Sequence, residues 1–375
     1  MIWMVVILLS ILSLLAVYSS TGTLAYRYQH GNTEYYLVKQ FIILLLGFAL
    51  MYIAHLVKYT YYSRIFQVAL WIAIPMLVIT LIFGLDINDA RRAVPLPFNL
   101  TFQTSDLAKL TLIMYLARLL TKKQEIIKDF RSAFVPIMVP IIIVCGLILP
   151  TNLSTAAMLF VTSLVMMFIG RVRMKYIMIL VGITVAAFAL FILILLSLPG
   201  EKQGRLWTWK NRIENFSGGK PDEESNYQVE QAKIAIATGG VMGKGPGNST
   251  QRNFLPHPYS DFIFAIIVEE YGLIGGTFVV LFYLILLFRA VKIVTKIPRN
   301  FGAFLTIGVA FSLVFQAMIN MGVAVNILPV TGQPLPLVSM GGTSIWFTSL
   351  SIGIILSVSK EIQAGPVTDE SNVTV

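Results

Sequence analysis

Three carboxylates share one apolar stretch of this 375-residue chain, "FLPHPYSDFIFAIIVEEYG" (254–272), with Asp261 at its head and Glu269 and Glu270 inside it. A carboxylate set beside apolar surface is the kind of group that serves as a general base, and the helix breakers Pro256 and Pro258 come just before Asp261. A plainer role is also open, because "YSDF" reads as a helix start with Ser260 or Asp261 as N-cap. On one continuous helix Glu269 and Glu270 would stand about 12 Å deeper than Asp261, where they would be supporting or structural groups. A second constellation is mainly cationic. Asp106 and Lys109 in "FQTSDLAKL" are three residues apart, which places them on one helix face where they can pair. Arg91 and Arg92 precede them in "INDARRAVPLPF", and Arg205 and Arg212 of "GRLWTWKNRI" are further candidates. Such cations suit an anion like a diphosphate, to which Arg offers bidentate geometry. The alternatives are an internal ion pair for Asp106 and Lys109, and headgroup anchoring for Arg91 and Arg92.

What positions these residues follows from composition. With 57% hydrophobic and only 12% charged residues and a mean hydropathy of +0.79, the chain has more apolar side chain than a water-soluble core could hide. An all-α, polytopic membrane protein is expected. Runs long enough for about 30 Å of hydrocarbon, roughly 20 residues each, occur near 2–19, 37–57, 65–85, 105–121, 134–149, 154–170, 174–198, 261–288, 301–325 and 343–359. These ten spans form one domain over 1–360, followed by a short polar tail, 361–375. Transmembrane β-strands would instead alternate over ten-residue segments.

Lys and Arg set the orientation. Lys58, Arg64, Lys122, Lys123, Arg171, Arg173, Arg289 and Lys292 crowd alternate connections, against Arg27, Lys39, Arg91 and Arg92 in the short loops of the other side. Both termini are therefore cytoplasmic, and the long loop 199–260 between the seventh and eighth spans is extracytoplasmic. Most of the +10 net charge is this inner-face bias, so nucleic acid is not expected as a partner. Within the long loop "YQVEQAKIAIATGG" (227–240) sets Val229, Ala232 and Ile236 at helical spacing and ends in a glycine pair, which suggests a short helix against the outer leaflet. The single Cys145 and the scattered His30, His55 and His257 give no readable metal site. "GGVMGKGPGN" (239–248) lacks P-loop spacing, because Thr238 stands where a glycine is required.

Two segments, "GKGPGNSTQRNFLPHPYSDFIFAIIVEEYGLIGG" (243–276) and "QAMINMGVAVNILPVTGQPLPLVSMGGTS" (316–344), closely resemble the characteristic segments of the shape, elongation, division and sporulation (SEDS) family, which includes FtsW and RodA. The C-terminal half is more similar to the FtsW branch. The resemblance implies a peptidoglycan glycosyltransferase that polymerises lipid II, the undecaprenyl-diphosphate-linked disaccharide-peptide, on the outer face of the bacterial cytoplasmic membrane, in cell division. It implies Asp261 as the catalytic carboxylate, and places Arg91, Arg92, Asp106 and Lys109 on the family's outer-loop arginines and Gln-Pro-Ser-Glu-x-x-Lys-like motif. It also implies a class B penicillin-binding transpeptidase and other division proteins as partners. The chain departs from the family at Thr104, in place of Pro, at Asp106, in place of Glu, and at Asn152 of "PTNLST", where the family's "QPDLGT" has an acid.

Making a β-1,4 bond from an α-linked diphosphate donor inverts the anomeric centre and needs one base for the acceptor hydroxyl. The diphosphate leaves readily once its charge is compensated, by the cations above or by a divalent ion (Mg or Mn) held partly by the substrate. Three other readings stay open: a RodA-like elongation polymerase, a flippase or transporter for the lipid-linked precursor, and a noncatalytic scaffold in which Asp261 is dispensable.

Overall fold

A computed structural model of the chain describes residues 1–28, 31–86, 91–96, 100–197, 223–256 and 258–363. Helices form at all ten expected positions: α1 (Ile2–Ser20), α3 (Thr33–Leu56), α4 (Tyr59–Phe83), α5 (Thr104–Lys122), α6 (Val135–Ile148), α7 (Leu153–Ile169), α8 (Met174–Ser197), α10 (Ile263–Val294), α11 (Asn300–Ala324) and α12 (Gly342–Gln363), with α2 (Gly22–Tyr28) and α9 (Glu223–Gly239) between them. Eight segments in the described residues are long and apolar enough to cross a membrane. The two that fall short do so for physical reasons. α7 has only 17 residues. α5 carries polar residues along an interior course with 12 of its 19 residues buried, so it needs no continuous apolar exterior.

α5, α11 and α12 occupy the middle of the bundle, whereas α8 lies at its edge, against α7 and, through Tyr176, against Phe130 and Phe134 before α6. The most extensive helix pair is α3 with α12, and missing side chains permit it: a Cβ on Gly47 would stand 2.7 Å from Ser349 Oγ, and one on Gly353 2.5 Å from the Met51 carbonyl oxygen. Small residues at such seams let backbones approach where no hydrophobic effect drives association.

The segment before α5, expected as a plain loop, is a three-stranded antiparallel sheet. Its strands β1 (Leu85–Asp86), β2 (Arg91–Leu96) and β3 (Leu100–Gln103) are in sequential order. Ala93 pairs with Gln103, the residue next to α5, so the backbone of Arg91 and Arg92 continues past that pair toward the helix start. A bond from Gln103 N to Thr343 Oγ1, 3.3 Å, and one from that hydroxyl to the Thr101 carbonyl, 3.1 Å, tie the sheet to the head of α12.

A further departure concerns α10, which is not one straight span. Gly272 inside it has φ 70° and ψ −173°, and the chain folds back there. A Cβ on Gly276 would meet Val268 Cγ2 at 2.8 Å and Phe264 Cζ at 3.4 Å, contacts that the rise of about 1.5 Å per residue forbids on a straight helix. The limb 263–271 therefore packs against the limb 273–294, and only the latter, roughly 33 Å long by its rise, matches the bilayer. The helical bonds broken at the fold are replaced by the glycine-rich turn after α9. Lys244 N and Gly245 N donate to the Glu269 and Glu270 carbonyls, while Leu273 N and Ile274 N donate to those of Gly240 and Val241. α9 itself spans 223–239, close to the expected helix, and turns Ala232 and Ala235 inward against α10.

Gly272 is replaceable by no other residue, because a Cβ would lie 2.1 Å from the Val241 carbonyl oxygen in a backbone region that only glycine populates, itself worth about 1–3 kcal/mol. Gly272→Ala is expected to lower stability by at least about 3 kcal/mol, seen as a loss of monodisperse protein on size exclusion. Gly182→Ala on α8, where a Cβ meets nothing, should be neutral or stabilising by about 0.5–1 kcal/mol.

Candidate active site

Asp261 lies in the turn that leads into the short limb of α10, and it is not the helix cap expected from sequence. The helix begins at Ile263 with Phe262 at the cap position and no side-chain cap bond, so capping does not account for the carboxylate. Asp261 is half-buried. Its Oδ1 accepts from Ser260 Oγ at 2.9 Å, and a Cβ on Gly332, which has φ 65°, would stand 3.6 Å from Oδ2.

The fold-back reverses the expected depths. Ser19 near the end of α1 donates to Glu270 Oε1, whereas Ser13, six residues earlier, donates to the Val338 carbonyl at 2.8 Å. Val338 precedes Ser339, whose hydroxyl donates to the Ser260 carbonyl at 2.6 Å. The α1 contact that leads to Asp261's turn is therefore about 9 Å along that helix from its contact with Glu270, on the side away from the C-terminal end. The sequence reading assumed a continuous helix and had the order the other way round.

An irregular segment between α11 and α12, residues 330–341, walls this turn. Its backbone is held from several sides: Gln316 Nε2 donates to the Pro334 carbonyl at 2.9 Å, Asn320 Nδ2 to the Gln333 carbonyl at 2.7 Å, and Tyr283 Oη to the Pro336 carbonyl at 2.5 Å. Met340 N donates to the Tyr259 carbonyl at 2.8 Å. Asn320 Nδ2 also donates to the Asp261 carbonyl at 2.9 Å. Gln333 Nε2 reaches Thr155 Oγ1 at 2.8 Å, near the start of α7. That start is capped by Asn152, whose Oδ1 accepts from Thr155 N at 3.1 Å; Asn caps about as well as Asp, so the family's acid can be replaced here without losing the helix start.

Lys109 and Asp106 are paired, Nζ to Oδ1 3.5 Å, and Lys109 Nζ donates to Gln316 Oε1 at 2.8 Å. Asp106 Oδ2 is buried without a partner, beside a cavity of about 10 Å³ lined by Lys109, Ser312, Ser344, Thr348 and Ser351 among others. That is about the space of one water. Lys109 is therefore linked to the Asp261 turn through Gln316, the Gln333–Pro334 backbone and Asn320. Glu269 and Glu270 hold the loop before the site. Glu269 pairs with Lys244 Nζ at 2.6 Å and accepts from Ser249 Oγ, Thr250 N and Thr250 Oγ1, while Glu270 accepts from Ser19 Oγ and Ser249 N. Of the remaining expected residues, Arg91 and Arg92 are placed by their backbone in β2, and Arg205 and Arg212 lie outside the described residues. The sequence reading missed Gln316, Asn320 and Gln333; the first two carried a signal, two amides four residues apart inside an apolar run.

The family described as Cell cycle protein, FtsW/RodA/SpoVE, matches residues 1–364. The chain belongs to this family. It is 32% identical over 356 residues to a protein of Geobacter sulfurreducens named probable peptidoglycan glycosyltransferase FtsW, covering 93% of this chain and 92% of the relative. It is 31% identical to stage V sporulation protein E of Bacillus subtilis, covering 95% of each. Among solved structures, Thermus thermophilus RodA superposes with a TM-score of 0.66 at 24% identity, over 96% of both chains. A chain from a structure described as a peptidoglycan synthase complex gives 0.71 at 24%, over 93% of this chain and 96% of that one. The FtsW/RodA/SpoVE fold is thus a multi-pass helical membrane fold in this protein as well.

Within it, removing Lys109 leaves the Asp106 carboxylate buried without its cation, at a cost of about 3–5 kcal/mol. Lys109→Met is expected to reduce the yield and thermal stability of purified protein, and Lys109→Met combined with Asp106→Asn to recover most of both.

Proposed function

We propose that this family member is an inverting peptidoglycan glycosyltransferase that polymerises lipid II, with Asp261 as the base that deprotonates the acceptor sugar hydroxyl. The observation carrying this reading is the seat of Asp261: a half-buried carboxylate that caps no helix, in a turn held by α11 and by the 330–341 segment, at the position the family uses for catalysis. In the reaction the acceptor oxygen attacks the donor's anomeric carbon as its proton passes to Asp261, the bond from that carbon to the diphosphate breaks, and the diphosphate leaves with the electron pair. Its charge is met by Arg91 and Arg92 from β2, with Arg205, Arg212 and Lys109 as further cations. A divalent ion, Mg or Mn, would supply Lewis-acid compensation of the same charge. The described residues contain no group of three or more His, Cys, Asp or Glu able to hold a metal, so the diphosphate oxygens would have to provide much of its coordination.

The relatives named FtsW support a role in division, which would place the protein at the septum, and the Lys and Arg distribution supports cytoplasmic termini. The likeness to a chain from a peptidoglycan synthase complex supports a transpeptidase partner docked on the spans and the outer loop. A precursor transporter is the one competing reading with an observation behind it, because broken helices and buried charges also line transport paths.

Purified protein in liposomes, with and without a class B penicillin-binding partner, should convert lipid II into glycan strands. Asp261→Asn should insert and fold normally yet lose on the order of 10²–10⁴-fold in rate. Arg91→Ala and Arg92→Ala should weaken substrate use more than folding. Near wild-type polymerisation by Asp261→Asn would remove the base assignment, and lipid II translocation without polymer would favour the transporter.

A further inference from the structure

α11 carries two buried amides on one face, Gln316 and Asn320, and they grip consecutive carbonyls, those of Pro334 and Gln333. Asn320 does one thing more. The same Nδ2 donates to the Asp261 carbonyl at 2.9 Å, so one amide nitrogen joins the base's own backbone to the wall segment. Asn320 is 1% exposed, and its Oδ1 is buried with no partner. Leaving a buried acceptor unmatched costs about 1–3 kcal/mol; an asparagine kept for packing alone would be better replaced by leucine of similar volume.

We propose that Asn320 is a positioning residue for the transfer reaction, holding the Asp261 turn so that the carboxylate meets the acceptor hydroxyl at working distance. This rests on the assignment of Asp261 as the base. Asn320 acts through the peptide of residue 261 and does not touch substrate, since its side chain is closed off from solvent. Lys109 bonds to Gln316, one turn away on the same face of α11, and that same helix face seats Asp261. Placement of the Lys109–Asp106 ion pair and of the base therefore has a common mechanical reference. A displacement of the order of 1 Å at a reacting group costs about 100-fold in rate, which sets the scale of the effect.

The test is steady-state polymerisation of lipid II by wild type, Asn320→Leu, Asn320→Gln and Asn320→Ser, each reconstituted with its transpeptidase partner and checked for folding by size exclusion and thermal melting. The expected result is a kcat lowered roughly 10- to 100-fold in Asn320→Leu, with KM within about twofold of wild type. Smaller losses are expected in Asn320→Gln and Asn320→Ser, which keep a donor. If Asn320→Leu folds and turns over at the wild-type rate, or its loss appears in KM alone, the proposal is overturned. If it does not fold, Asn320→Ser decides by the same criteria, and failure of all three variants to fold assigns Asn320 to the scaffold instead. An active Asp261→Asn protein would sink the base assignment, whereas an inactive Asp261→Asn beside a fully active Asn320→Leu would sink only this inference.

Discussion

Non-helical backbone inside a helical membrane bundle has no water to satisfy its amides and carbonyls, and the protein must supply every partner itself. Much of what lies around Asp261 follows from that constraint. The segment 330–341 would be untenable among the helices without Ser13, Tyr283, Gln316 and Asn320, four polar side chains on three helices, each donating to one of its carbonyls. The break in α10 obeys the same rule with backbone alone, exchanging four bonds with the turn after α9. Polar residues that look misplaced in apolar spans are therefore the supports of an irregular interior, and that interior is where the carboxylate sits.

The charged groups differ in what the fold attaches to them. Glu269 accepts from a lysine, two hydroxyls and backbone N–H groups, and Lys109 has both Asp106 and Gln316. These side-chain contacts tie pieces of the fold together. Asp261 is held through its backbone as well, because Asn320 grips its carbonyl while Ser260 Oγ donates to its Oδ1.

The helices were legible from apolar runs because ten helices lie where those runs are, and Asp261 stood out as a candidate because a carboxylate after two prolines and before an apolar run is conspicuous. The depth of Asp261 was not legible. A glycine within an apolar stretch reads as a minor weakness in a helix, and nothing in "EEYGLIGG" announces that the chain turns back at Gly272 and not at Gly275 or Gly276. The fold-back depends on bonds from Gly240, Val241, Lys244 and Gly245, about 30 residues earlier, and local pattern does not carry pairing over that range. Asn152 shows the opposite case. The family's acid is replaced there, and the structure shows one task of the position, capping α7, which asparagine performs about as well; an ionised role is not open to it.

The knot of backbone bonds around Gly272 also separates two parts of the chain mechanically. Between Gly240 and Arg252 the chain is stapled to the fold-back and to α1 before it reaches Asp261. A load arriving through α9 therefore meets the staple first and leaves the seat of the carboxylate where it is.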